Sequence, residues 1–159
     1  MKLSDDYYDE KSDARKAIFL GIVCGLFTAL ACSIDLDAAC IFIAILIGNI
    51  LALKVDGIHH VVTLVIFVLI CLVCGIPHLS LVVLMICIIS ALADEIGHEL
   101  ISKITDNQFL NLFFEYRFVM KIVILLLAVC GVFSIWIFVC FISFEIAYET
   151  AGIVFEKLN

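Results

Sequence analysis

The chain has 159 residues, is 65% apolar with a mean hydropathy of +1.27, and contains one proline. Soluble domains run nearer half apolar, so this composition excludes an ordinary water-soluble globule and points to a membrane protein. A net charge of −7 and a pI of about 4.8 leave no basic footprint for nucleic acid, and the length suits one bundle without a separate soluble domain.

Residues 1–16 read as a polar tail, with Asp5, Asp6, Asp9, Glu10 and Asp13 set against Lys2, Lys11, Arg15 and Lys16. So little of it is apolar that its first part is expected to be mobile, with Ser12 or Asp13 as N-cap of the first helix. A cleavable signal peptide is not expected, because the apolar run starts late and is followed by acidic residues.

The transmembrane domain is expected over 17–149, with spans of about 17–34, 36–53, 58–76, 79–97 and 118–144, and a second tail over 150–159. In the first span Gly21, Gly25, Ala29 and Ser33 recur every four residues; in the second, Cys40, Ala44, Gly48 and Ala52 do the same. Small-xxx-small stripes let helices approach closely, and the short link through Asp35 predicts that these two pack stripe to stripe as a hairpin. Asp56-Gly57 marks the next turn, with Asp56 as cap of the third span, and Gly75-Ile76-Pro77-His78 the turn after it. Thr105-Asp106-Asn107 is expected to turn the chain into an amphipathic helix at the membrane interface, rich in Phe109, Leu110, Leu112, Phe113 and Phe114.

The fold class is therefore all-α: a polytopic bundle of five transmembrane helices in the cell membrane. With the N-terminus cytoplasmic, Lys2, Lys11, Arg15, Lys16, Lys54, Lys103, Arg117 and Lys121 lie inside, and only Lys157 lies outside.

Most of the eight cysteines sit in apolar runs, where a thiol behaves as a small buried residue. Cys71-Leu72-Val73-Cys74 resembles the redox pair of membrane disulfide-forming enzymes that pass electrons to a quinone. The external links are too short to carry the mobile second pair such chemistry needs, so packing is the reading adopted.

Chemistry concentrates at Asp94-Glu95-Ile96-Gly97-His98-Glu99. Taking Asp94 as zero on a helix, His98 falls at about 40°, Glu95 at about 100° and Glu99 at about 140°, so all four share less than half of the surface. Glu95 and His98 have the Glu-x-x-His spacing of di-metal carboxylate bundles. On this topology Asp56, His59 and His60 reach the same cytoplasmic end. The expected ligand set is Asp56, His59, His60, Asp94, Glu95 and His98 around a divalent Zn, Fe or Mn ion, with Glu95 and Glu99 as catalytic groups. Asn49, seven residues before Asp56, and Arg117 and Lys121 are the expected substrate-binding side chains. A second acidic group, Asp35, Asp37, Glu145 and Glu149, is expected at the outer end near His78.

Three functions fit these groups. One is a metal-dependent enzyme acting on a lipid or isoprenoid headgroup at the cytoplasmic interface. Another is a cation transporter or channel subunit using both acidic ends, although the span cores hold no ionisable residue. The last is a non-catalytic subunit, in a homo-oligomer or a larger membrane complex. No Walker loop, nucleophile elbow or His-Glu-x-x-His zinc motif is present.

Overall fold

A computed structural model describes residues 1–158, the side chains at 102 and 158 excepted; residue 159 of the expected second tail lies outside the described residues. Among the described residues there are eight helices and no strands. They are α1 (Lys2–Asp9), α2 (Ala14–Ile34), α3 (Leu36–Leu51), α4 (Ile58–Cys74), α5 (Leu81–Ile104), α6 (Gln108–Glu115), α7 (Phe118–Val129) and α8 (Ile135–Leu158). Three stretches are long and apolar enough to cross a membrane: Ala14–Ile34, Leu81–Ile101 and Ile135–Lys157. Three more helices, α3, α4 and α7, are apolar but shorter. Large apolar side chains such as Phe19, Phe27, Leu72, Leu81 and Trp136 face outward, as lipid contact requires.

The start of the chain is ordered helix rather than loose tail. Lys2 pairs with Asp6 at 2.8 Å one turn on, Asp5 lies in the first turn where the helix dipole favours an acid, and Ser4 Oγ donates to the Ala17 carbonyl at 2.7 Å. Ser12, at φ 53, turns the chain, and Asp13 caps α2 by accepting the Lys16 N–H at 3.2 Å. Gly57, not Asp56, occupies the N-cap position of α4, and no side chain caps that end.

The chain divides into two compact units. The first comprises Met1–Asp35, Val55–Pro77 and the chain from Val139 onward; the second comprises Leu36–Lys54 and His78–Phe138. In place of the expected stripe-to-stripe pairing of α2 with α3, each stripe closes on a helix of its own unit. The α2 stripe closes on α4: a Cβ on Gly25 would meet the Thr63 carbonyl oxygen at 2.7 Å, and one on Gly21 the His59 carbonyl oxygen at 3.0 Å. In the second unit the α3 stripe closes on α5, where a Cβ on Gly48 would lie 2.9 Å from that of Ala91. A small-residue stripe says that a helix comes close, not which one.

The expected span 118–144 is two helices. Gly131, at φ 74, ends α7, with the N–H groups of Val132 and Phe133 folding back to the Leu127 carbonyl at 2.9 and 3.1 Å. This is the left-handed glycine stop that helices commonly use. Ser134 then starts α8, its Oγ accepting the Trp136 N–H at 3.3 Å. Residues 150–157, expected as a tail, continue α8.

Candidate metal centre

In the first unit Asp5, on α1, meets the two histidines that open α4. Its Oδ1 lies 3.1 Å from His59 Nε2 and 3.5 Å from His60 Nε2, and one donor atom from each of the three residues falls within 4.8 Å of the others. Helical geometry brings both imidazoles together in the first turn of α4, their ring centroids 4.1 Å apart. His59 is only 1% exposed, covered by the Tyr8 ring at 4.4 Å. Its imidazole also lies against Gly57, where a Cβ would sit 2.6 Å from Nδ1, so this turn needs a residue without a side chain. Asp56 stands beside His60, Oδ1 to Nε2 3.7 Å, on the exposed rim.

Burial pushes the Asp5 carboxyl above its ordinary value; the His60 imidazole, the chain's terminal amine and the hydrogen bond to His59 act in the other direction. His59 Nδ1 is buried and has no hydrogen-bond partner among the described residues. His59 thus points one nitrogen at a carboxylate and the other at bare backbone.

The acidic stretch of α5 belongs to the second unit, and its carboxylates close on partners there. Asp94, 1% exposed, accepts the backbone N–H groups of Val119 at 3.0 Å and Met120 at 2.7 Å. Glu95, 5% exposed, pairs with Arg117 Nη2 at 3.0 Å, while its Oε2 has no hydrogen-bond partner. Glu99 pairs with Lys54 at 2.5 Å near the surface. His98 is exposed. Lys121 donates to the Tyr116 carbonyl and covers the Phe118 ring at 5.2 Å. Asn49 is half-buried, and its carbonyl accepts the Lys54 N–H at 2.9 Å.

The groups expected at one patch therefore divide between the units. His59, His60 and Asp56 come together around Asp5, in the segment expected as a tail. Asp94 accepts the backbone N–H groups of Val119 and Met120, and Glu95 and Glu99 form ion pairs. Arg117 is held by Glu95, and Lys121 by a carbonyl. The signal for Asp5 was present in the i, i+4 pair Lys2–Asp6 and in Tyr7-Tyr8, aromatic residues that a solvated tail does not need.

Of the outer acidic residues, Asp37 belongs to the second unit and Asp35, Glu145 and Glu149 to the first. Asp37 accepts the Ser134 N–H at 2.8 Å at the start of α8. Asp35 ends α2, donating its own N–H to the Ala31 carbonyl at 3.0 Å. With the chain broken at Gly131, Glu145 and Glu149 lie about 15 and 21 Å along α8 rather than beyond a fifth span. Among the described residues no disulfide joins any of the cysteines, Cys71 and Cys74 included.

No family model, curated protein or solved structure matches this chain.

Proposed function

We propose that this is a multi-pass membrane protein that binds a divalent transition-metal ion at Asp5, His59 and His60, and that the ion regulates it. The observation that carries the reading is the convergence of two imidazoles and a carboxylate on one point. Ligands held tetrahedrally at about 2.0–2.1 Å from a zinc ion stand about 3.3 Å from one another. The two separations from Asp5 Oδ1, 3.1 Å to His59 Nε2 and 3.5 Å to His60 Nε2, bracket that spacing. Nitrogen and oxygen donors in a 2:1 ratio suit zinc, with iron and manganese as the other fitting ions.

His59 also sets the strength of binding. An imidazole that ligates through Nε2 carries its proton on Nδ1, and metal sites normally give that N–H an acceptor. Here Nδ1 has none, which favours an ion that exchanges over one locked in as structural support. Losing such an outer partner typically costs 10–100-fold in affinity. An exchangeable ion suits regulation.

The catalytic alternative needs a free base, and the two expected ones, Glu95 and Glu99, are engaged by Arg117 and Lys54. The transport alternative needs acidic groups gathered at a second end, and Asp37 there is committed to the Ser134 N–H. Both lose ground to regulated cation binding.

The metal site is read as cytoplasmic. Tyr7 meets Phe155 edge-on at 5.1 Å, so the two ends of the chain share a face of the first unit. Lys157, the one basic residue a five-span scheme leaves outside, then joins the basic residues of the N-terminal segment on the inside, in keeping with the positive-inside bias. Titration of the purified protein with Zn²⁺ by calorimetry tests the site: one ion per chain is expected, lost in His59→Ala and His60→Ala. Absence of binding in the intact protein sinks it.

A further inference from the structure

We infer that the ion operates α1 as a clasp: binding at Asp5, His59 and His60 closes the N-terminal helix onto α4, and release frees it. The inference rests on the metal-site reading above and goes beyond it to what the ion controls. One ligand comes from α1 and two from the start of α4, more than fifty positions later in the chain.

α1 packs chiefly along α2 and touches α4 near Asp5 and Tyr8, and its polar attachments outside the metal site are individually weak. The terminal amine lies 3.6 Å from Cys24 Sγ, Thr63 Oγ1 lies 3.5 Å from Met1 Sδ, and Ser4 Oγ donates to the Ala17 carbonyl. Tyr7 rests edge-on against Phe155, and Lys2 lies along Gly152, where a Cβ would meet its Cε at 2.8 Å. The Lys2–Asp6 ion pair itself is internal to the helix. An eight-residue helix does not persist alone in water, so α1 exists as a helix only while docked.

Among the described residues, Asp5 is the charged side chain of α1 that bonds α4. Without an ion its carboxylate sits in a half-dry pocket, favoured by the two imidazoles and by the terminal amine. A bound cation supplies the missing charge and ties the two elements by coordination. An ion that binds only the closed form stabilises closure in proportion to its saturation, about a hundredfold at a free concentration one hundred times its Kd. Gly57 and Tyr8 serve the same closure, the first by letting His59 lie flat on the backbone and the second by roofing it from α1.

The test is backbone hydrogen exchange of residues 2–9 in the full-length protein in lipid nanodiscs, with Zn²⁺ alone as the probe and calorimetry on the same sample. Zn²⁺ at saturation is expected to slow exchange in α1 by about tenfold to a hundredfold, reversed by chelator. Asp5→Asn should abolish this protection while circular dichroism shows the other helices intact. Asp5→His, which restores a ligand, should regain it, a rescue that a hydrogen-bonding role for Asp5 does not predict. Zn²⁺ binding without any change in α1 exchange overturns the clasp and leaves the metal site standing. No Zn²⁺ binding overturns both.

Discussion

Asp94 caps a helix to which it does not belong: its Oδ2 accepts the N–H of Met120 at 2.7 Å, and its Oδ1 that of Val119 at 3.0 Å. The first N–H groups of any helix lack internal partners, and α7 begins at Arg117, whose side chain offers no cap. Asp94 supplies the oxygen from α5. Asp94→Ala should cost about 1–2 kcal/mol, because the two N–H groups are left unmet in a buried place. Asp94→Asn, which keeps one acceptor, should cost less. Thermal unfolding in mild detergent, followed through the Tm, ranks the two variants; equal melting of Ala and wild type removes the cap from the account.

Arg117 stands next to this cap in a left-handed conformation, φ 49, and reaches back to Glu95. Arg117→Ala strands a buried carboxylate and should destabilise by on the order of 2–3 kcal/mol, below the roughly 3–5 kcal/mol of fully buried pairs because Arg117 is one-third exposed. Glu95→Leu combined with Arg117→Met should recover most of that loss, since an apolar pair replaces a desolvated ionic one. A double mutant that melts below both single mutants contradicts this.

Gly25 faces the backbone of α4, and a methyl group there would press on the Thr63 carbonyl oxygen at 2.7 Å. Backbone cannot swing aside as a side chain can. Gly25→Ala should therefore cost about 1–3 kcal/mol through forced separation of α2 and α4. Gly75→Ala meets no neighbour within 4 Å, so its cost is that of positive φ alone, about 1 kcal/mol. Comparative melting separates the crowding penalty from the conformational one.

Zinc binding discriminates between the two histidine groups. His98→Ala should leave calorimetric Zn²⁺ affinity unchanged, because His98 is exposed and belongs to the unit that does not hold the site. His60→Ala should lower affinity by at least about tenfold, as loss of one of three ligands demands. Protons compete with the cation for imidazole and carboxylate alike, so affinity should fall steadily from about pH 7.5 to about pH 5.5. The reverse pattern, with His98 essential and His60 dispensable, would restore the centre that the α5 motif suggested.

What the sequence made legible is what local pattern controls. Apolar runs announced the helices of a membrane protein, Asp13 announced the start of α2, and Thr105-Asp106-Asn107 announced the turn into α6, where Asn107 accepts the N–H groups of Phe109 and Leu110. Pairing was not legible, because the glycines of α2 record a close approach and not the identity of the helix that makes it. The break after α7 is legible in principle: Gly131 as a helix stop and Ser134 three residues later as a helix start are ordinary punctuation hidden inside an apolar run. The α5 motif carries a related ambiguity. Asp94 and Glu95 have the residue types and spacing of ligands, but a cap and an ion pair use the same residue types, and only the arrival of Val119, Met120 and Arg117 decides between them. Asp5 escaped notice because a short charged helix is stable only when something receives it.

The chain passes from one unit to the other after Asp35, Lys54, Pro77 and Phe138. That interleaving imposes an order on biogenesis. Everything the second unit needs has been synthesised once Phe138 is made, whereas the first unit must wait for the final helix before Phe155 can support Tyr7. A nascent chain halted just past Phe138 would already own its Asp94 lock, while the segment made first, α1, would be among the last to find its complete seat.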